Sequence, residues 1–312
     1  LNAQIEELKS TGLFEIIEPN YKLSLDKKIM IDNVYTTNDK KLAYQYYLEA
    51  INANSVLNVN SNNEVKVAVL DSGVDANHPD LIGKVEGRVG HEYEDLTDEI
   101  GHGTEVAGII AAHSNNKKGI AGIAANTKIV SIRITDENGE ASVSTVVEAL
   151  DSAYKAGAKV AQISLSTSSN SKVLKNAIEE ARNNGLLIVA AGGNSGTNEL
   201  RYPAAFEGVI GVGAVNEDNE VESYSTTGEH IDIVAPGTDI YTTSINKKGY
   251  RAVTGTSFAT PQVAAVAALV FSVNSDMTAN EVSDMIINGA VEIGNEAVLL
   301  NAANTIDLVS AN

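Results

Sequence analysis

Six short runs rich in apolar residues, at 66–70, 128–134, 159–165, 186–191, 209–214 and 231–235, recur along the chain and predict strands. Between and after them the stretches near 104–112, 142–156, 172–184 and 256–273 predict helices. Such alternation implies crossover connections, hence an α/β fold: a mostly parallel sheet with helices on both faces. The apolar run 263–271 is too short for a membrane span, and Pro261 and Gln262 interrupt it upstream. It reads as a buried central helix.

Composition narrows the function classes. A hydrophobic fraction of 43% over 312 residues is ample for a core and permits one large domain. The net charge of −19 would repel phosphates, so nucleic acid is not an expected partner. With no cysteine there are no disulfides and no thiol chemistry. Leu1 to Ser10 is charged and amphipathic, unlike an export signal, so a signal would have to lie outside this chain.

Three stretches carry the chemistry. VAVLDSGVDANHPDL at 67–81 places Asp71 at the end of a predicted strand, with Gly73 permitting a tight turn. GHGTEVAGIIAA at 101–112 sets His102 between glycines at the opening of a helical run. GTSFATPQVAAVAAL at 255–269 sets Ser257 before a helix entered through Pro261, whose amino-terminal N–H groups suit an oxyanion. A serine hydroxyl is a poor nucleophile until an imidazole takes its proton, and the imidazole needs a carboxylate to fix its tautomer. The order is Asp, His, Ser, at intervals of 31 and 155 residues.

From about Thr37 onward, on these motifs, the chain resembles the subtilisin-like serine proteases, or subtilases. The resemblance implies a subtilisin-like, doubly wound fold, a secreted endopeptidase, and no cofactor for the chemistry. It makes Asp71 the orienting acid, His102 the general base and Ser257 the nucleophile. VAAGGNSG at 189–196 matches the oxyanion-hole segment and gives Asn194 as a donor. The substrate cleft maps to Ser164, Leu165 and Ser166 on one side and Ala191, Gly192 and Gly193 on the other. Arg201, before Tyr202-Pro203, takes the pocket floor where subtilisin has glycine. A guanidinium there implies cleavage after Glu or Asp, unless Arg201 faces solvent or pairs with Glu199 or Glu207.

Residues 1–36 lie outside the catalytic pattern, which occupies 37–312. IEELKSTGLFEIIEPNY at 5–21 resembles the end of a subtilase propeptide, so the stretch is a propeptide remnant or an ordinary surface extension. Counting forward puts a self-cleavage near Asp26 and Lys27. Within the family these features resemble lantibiotic leader peptidases of the Glu-cleaving, cytolysin-activator type, with a leader peptide as partner. A broad secreted protease and a peptide-binding homologue that does not cut are the rivals. Asp39, Asp80 and Asn116 match a structural calcium site, although Lys117 and Lys118 depart from it and an ammonium can serve instead. His78, His91, His113 and His230 are expected to be structural or on the surface, and the acidic stretch 92–99 to be a solvated loop.

Overall fold

The computed structural model describes Ile5, Ile16, Glu18, residues 20–25, 41–57, 63–90, 96–294 and 296–311. Elements are numbered along the chain. The main sheet has nine strands. From edge to edge they are Val291–Gly294 (β13), Ala297–Leu299 (β14), Ile233–Pro236 (β10), Ile210–Val215 (β9), Leu187–Ala191 (β8), Val160–Ile163 (β6), Lys66–Asp71 (β2), Lys128–Arg133 (β4) and Val85–Gly90 (β3). Only the β13–β14 pair is antiparallel. The chain lays β3 and β4 on one side of β2 and then places β6, β8, β9 and β10 on the other, so the order reverses at β2. The carboxyl end of such a central strand opens a crevice where α/β proteins bind ligands.

Alternation along β2 builds two cores. Val67 and Val69 enter one with the helices His102–Ala111 (α2) and Thr256–Val273 (α5). Ala68 and Leu70 enter the other with Val143–Lys155 (α3) and Lys172–Asn183 (α4). The sheet is thus covered on both faces, as its apolar strands require. A short helix, Tyr46–Ala50 (α1), adds Tyr47 and Leu48 to the first core.

The central helix α5 is longer than the run 263–271. Its 18 residues are long and apolar enough to cross a membrane by composition alone, but 94% of it is buried inside the fold. Pro261 lies within this helix rather than at its entrance. Lacking an N–H, it leaves the carbonyl of Ser257 free of its helical bond. Ser164 Oγ donates to that carbonyl at 3.0 Å.

The run 159–165 is not one strand. It breaks at Ser164, and Leu165–Ser166 (β7) leaves the main sheet to pair antiparallel with Lys22–Leu25 (β1), which also pairs with Glu140–Ser142 (β5). Further elements among the described residues include the hairpin Ile240–Thr243 (β11) and Tyr250–Val253 (β12), and helices Ala279–Gly289 (α6) and Ala302–Ala311 (α7).

Candidate active site

Asp71 ends β2 and is fully buried. His102 is the first residue of α2, after Gly101, whose φ of 87° turns the chain into the helix. His102 Nδ1 donates to Asp71 Oδ1 at 2.8 Å, with Oδ2 at 2.9 Å. This fixes the tautomer and leaves Nε2 as the working nitrogen. Among the described residues Nε2 has no hydrogen-bond partner. Gly103 permits the approach, because a Cβ there would lie 2.0 Å from Gly73 O.

Asp98 ties the two pieces together. Its Oδ1 accepts from Ser72 Oγ at 2.8 Å and Gly101 N at 2.7 Å, and its Oδ2 from Thr104 N at 2.9 Å and Thr104 Oγ1 at 2.5 Å. Ser72 Oγ accepts from Gly103 N at 3.0 Å. The acidic stretch is therefore not a solvated loop throughout: Asp98 is buried because α2 needs an acceptor for its unpaired N–H groups. Burial pushes its carboxyl up against the pull of these four bonds. Burial also pushes His102 down, but the charge and hydrogen bond of Asp71, with Glu105 and Asp98, outweigh it and raise the imidazole to about 9.

Ser257 sits in the first turn of α5, and the neighbouring Phe258 ring lies 5.2 Å from the His102 ring. Ser257 Oγ donates to Ser164 O at 3.4 Å. Asn194 holds the same turn: its Oδ1 accepts from Thr256 N and Thr256 Oγ1, both at 3.0 Å, so its Nδ2 is left to donate. The Asp71–His102 pair at the carboxyl end of β2 and the Asn194–Thr256 pair beside Ser257 at the amino end of α5 are thus linked through the Phe258 ring packed near His102. Residues 62–305 match the model of the subtilase family. The chain belongs to the subtilases, a family of serine endopeptidases. It is 39% identical to a thermophilic serine proteinase of Bacillus sp. (strain AK1), across 87% of this chain and 67% of that protein. It is 38% identical to thermitase of Thermoactinomyces vulgaris, across 76% and 86%. Subtilisin DY of Bacillus licheniformis shares 36% identity across 74% and 85%.

In this subtilase Ser164 and Ser257 exchange two hydrogen bonds, each hydroxyl donating to the other's carbonyl. Leu165 and Ser166 follow Ser164 as β7, and Gly192 and Gly193 follow directly after β8. Gly193 accepts from Thr226 N at 2.8 Å and Thr226 Oγ1 at 2.7 Å. Arg201 spans the gap between the two segments. Its Nε and Nη2 donate to Ser166 Oγ at 3.3 and 3.0 Å, and a Cβ on Gly193 would meet Arg201 Nε at 3.3 Å. Its Nη1 also lies 3.5 Å from Glu199 Oε2, while Glu207 is not among its partners.

Strand β1 pairs with β7, with Ser24 opposite Ser166 and Leu25 opposite Leu165. Leu23 is fully buried in the core that contains Ala141, Val143, Leu165 and Leu174. The segment before it clamps two helix ends. The Glu18 carboxylate accepts from Lys172 N at 2.9 Å, Val173 N at 3.2 Å and Ser171 Oγ at the start of α4. Asn20 Oδ1 accepts from Ser144 N at 3.0 Å at the start of α3. Asp26, Lys27 and Asp39 lie outside the described residues.

Asp80 and Asn116 are brought together, but as hydrogen-bond partners. Asn116 Nδ2 donates to Asp80 Oδ1 and Ile120 N to Asp80 Oδ2, each at 2.9 Å, and the Tyr250 hydroxyl bonds Asp80 as well. Asn116 Oδ1 accepts from Lys118 N at 2.7 Å. A hard cation needs those oxygens. The Lys41 ammonium stands 3.3 Å from the Tyr250 ring centre, and Lys41, Lys117 and Lys118 line the adjoining cavity of about 190 Å³. The described donor set does not fit calcium, and among the described residues no three His, Cys, Asp or Glu gather to hold a metal. Of the other histidines, His78 Nε2 bonds Gly249 O at 2.7 Å and His113 Nε2 bonds Ile82 O at 2.8 Å. Among the described residues the His230 ring nitrogens have no hydrogen-bond partner, and His91 lies outside the described residues.

Proposed function

We propose that this subtilase cuts peptides through Ser257, with His102 as general base and acid, Asp71 as the orienting carboxylate, and Asn194 Nδ2 with Ser257 N as the oxyanion hole. The observation that carries the reading is the His102 Nδ1 contact with both oxygens of Asp71, which leaves Nε2 free. Ser257 Oγ attacks the scissile carbonyl and gives its proton to Nε2; the imidazolium then protonates the leaving amine, and water repeats the sequence on the acyl-enzyme. The 3.4 Å contact of Ser257 with Ser164 O is the resting geometry, and catalytic bonds tighten when substrate arrives.

Residues 1–36 act as a propeptide-like segment, and 37–312 as the catalytic domain. Supporting this is β1, which occupies the cleft as a third strand between β5 and β7, as a substrate would. The helix clamps of Glu18 and Asn20 hold it there. Leu25 is its last residue, so the next carbonyl belongs to Asp26, and the bond from Asp26 to Lys27 is the self-cleavage site. An acidic residue before that bond suits Arg201.

The substrate class follows: peptides with Glu or Asp before the cut, as in the leader of a lantibiotic-type toxin, processed outside the cell. The Glu199 contact supports the second reading, a broad secreted protease whose Arg201 charge is already balanced at the rim. Cleavage-site profiling of a mixed peptide library separates them. Wild type should cut after Glu or Asp, and Arg201→Gly should lose that preference by about tenfold or more, the worth of a charge-assisted bidentate contact. Cuts after leucine or aromatics in both enzymes would refute the acid-reading pocket.

A further inference from the structure

Glu105 lies one helical turn after His102, on the same face of α2, and is fully buried. A carboxylate placed there without a partner is costly. Its partner is Arg251 of β12, whose Nε and Nη2 both reach Glu105 Oε1. The same hairpin grips the helix backbone: Thr242 Oγ1 donates to Glu105 O at 2.7 Å and Thr243 Oγ1 to Thr104 O at 2.6 Å. Gly108 allows this contact, because a Cβ there would lie 2.0 Å from Thr243 Oγ1. From β12 the chain runs through Thr254, Gly255 and Thr256 directly to Ser257. One hairpin therefore joins the helix that carries the base to the turn that carries the nucleophile.

We propose that Arg251 is a positioning residue for the catalytic base, acting through Glu105: it holds the first turns of α2 against the β11–β12 hairpin and offsets a carboxylate that His102 would otherwise face uncompensated. The inference rests on the triad reading above. Among the described residues the ionisable groups around Glu105 include His102 on its own helix, Asp71 from β2, Asp98 from the preceding loop and Arg251 from β12; burial, with the two aspartates, pushes its carboxyl up, and the His102 charge and the bound Arg251 guanidinium favour the carboxylate. Helix α5, packed on α2, has no ionisable side chain, and β11 contributes only Tyr241. Arg133 at the end of β4 is engaged by Thr97 O and Glu99.

The signs follow from charge. Glu105→Gln removes a negative charge near the imidazolium, so the acidic limb of kcat/KM should move to lower pH. Arg251→Gln strips the carboxylate of its counter-charge, so the limb should move to higher pH. Each shift should be about one pH unit, the scale of a unit charge at partly screened short range. The double variant removes a neutral pair and should return the limb close to wild type; it also serves if a single variant folds poorly. Arg251→Lys should restore the limb while recovering kcat only in part, since a point charge lacks the guanidinium fork. The experiment is the pH profile of all four with one chromogenic peptide, beside Ser257→Ala. Limbs that stay together, or single variants that move in the same direction, would overturn the proposal. Activity surviving in Ser257→Ala would instead overturn the triad reading on which it rests.

Discussion

Two places in this molecule carry family motifs with the expected residue types, and they differ in which way the hydrogen bonds point. Around Asp71, acceptors face donors in the sense a catalytic base needs: Asp71 accepts the hydrogen bond from His102 Nδ1, Asp98 accepts four more, and Nε2 has no partner among the described residues. Around Asp80 the oxygens that would hold a cation are turned onto Asn116 Nδ2, Ile120 N and the Tyr250 hydroxyl. Residue type at motif spacing suggested both, with Lys117 and Lys118 already a departure at the second. What separates them further is donor and acceptor direction, which depends on backbone N–H groups that a motif does not include.

The comparison can be broken first at Asp98. Asp98→Ala leaves Ser72 Oγ, Gly101 N and the Thr104 donors unpaired in a buried site. It should cost about 3 kcal/mol of stability, and kcat should fall by about ten- to a hundredfold while KM changes little, because the helix that aims His102 is loosened. Asp98→Asn should recover part of both, since the amide oxygen still accepts. Thermal melts and steady-state kinetics check this, and an unchanged kcat would show that α2 needs no such anchor. At the Asp80 loop the expected effect is near zero. Adding millimolar calcium or excess chelator should shift the melting temperature by no more than about 1 °C, whereas a micromolar site would contribute about 4 kcal/mol at that concentration. A shift of several degrees would mean that the loop reorganises to bind metal.

Much of the architecture was legible because buried parallel strands and their crossover helices write long, dense patterns. Each of the six strand runs and four helical stretches corresponds to an element. The departures have local causes. The strand at 159–165 ends early because Ser164 is drawn to the Ser257 carbonyl that Pro261 leaves unpaired. The edge strands β13 and β14 and the hairpin β11–β12 are short and partly polar, so alternation has too few residues to register. Helix α6 did carry a readable start, the capping box of Thr278 with Glu281.

At the candidate site, the motif stretches named Asp71, His102, Ser257 and Asn194. They did not supply Asp98 or Arg251, which matter through partners from elsewhere in the chain. Asp98 had a faint signal, a short acidic side chain three residues before Gly101 at a helix start. Arg251 had none, since nothing in its strand points to Glu105. Arg201 shows the limit most clearly. Its place before Tyr202-Pro203 suggested a pocket and its neighbours a rival pairing with Glu199, and in the fold the guanidinium meets both Ser166 and Glu199.

The central claim is that His102, oriented by Asp71, activates Ser257, and covalent labelling tests it most directly. The protein would be incubated with a fluorophosphonate across a pH series and the adduct mapped by mass spectrometry, beside His102→Ala and Asp71→Asn. The imidazole must be neutral to act, and its surroundings raise it from 6.5 to about 9, so labelling should quicken as pH rises toward that value. The account predicts a single adduct on Ser257, nearly absent in His102→Ala and slowed by about 10⁴ in Asp71→Asn. An adduct on another residue, or labelling of Ser257 that is indifferent to His102, would contradict it.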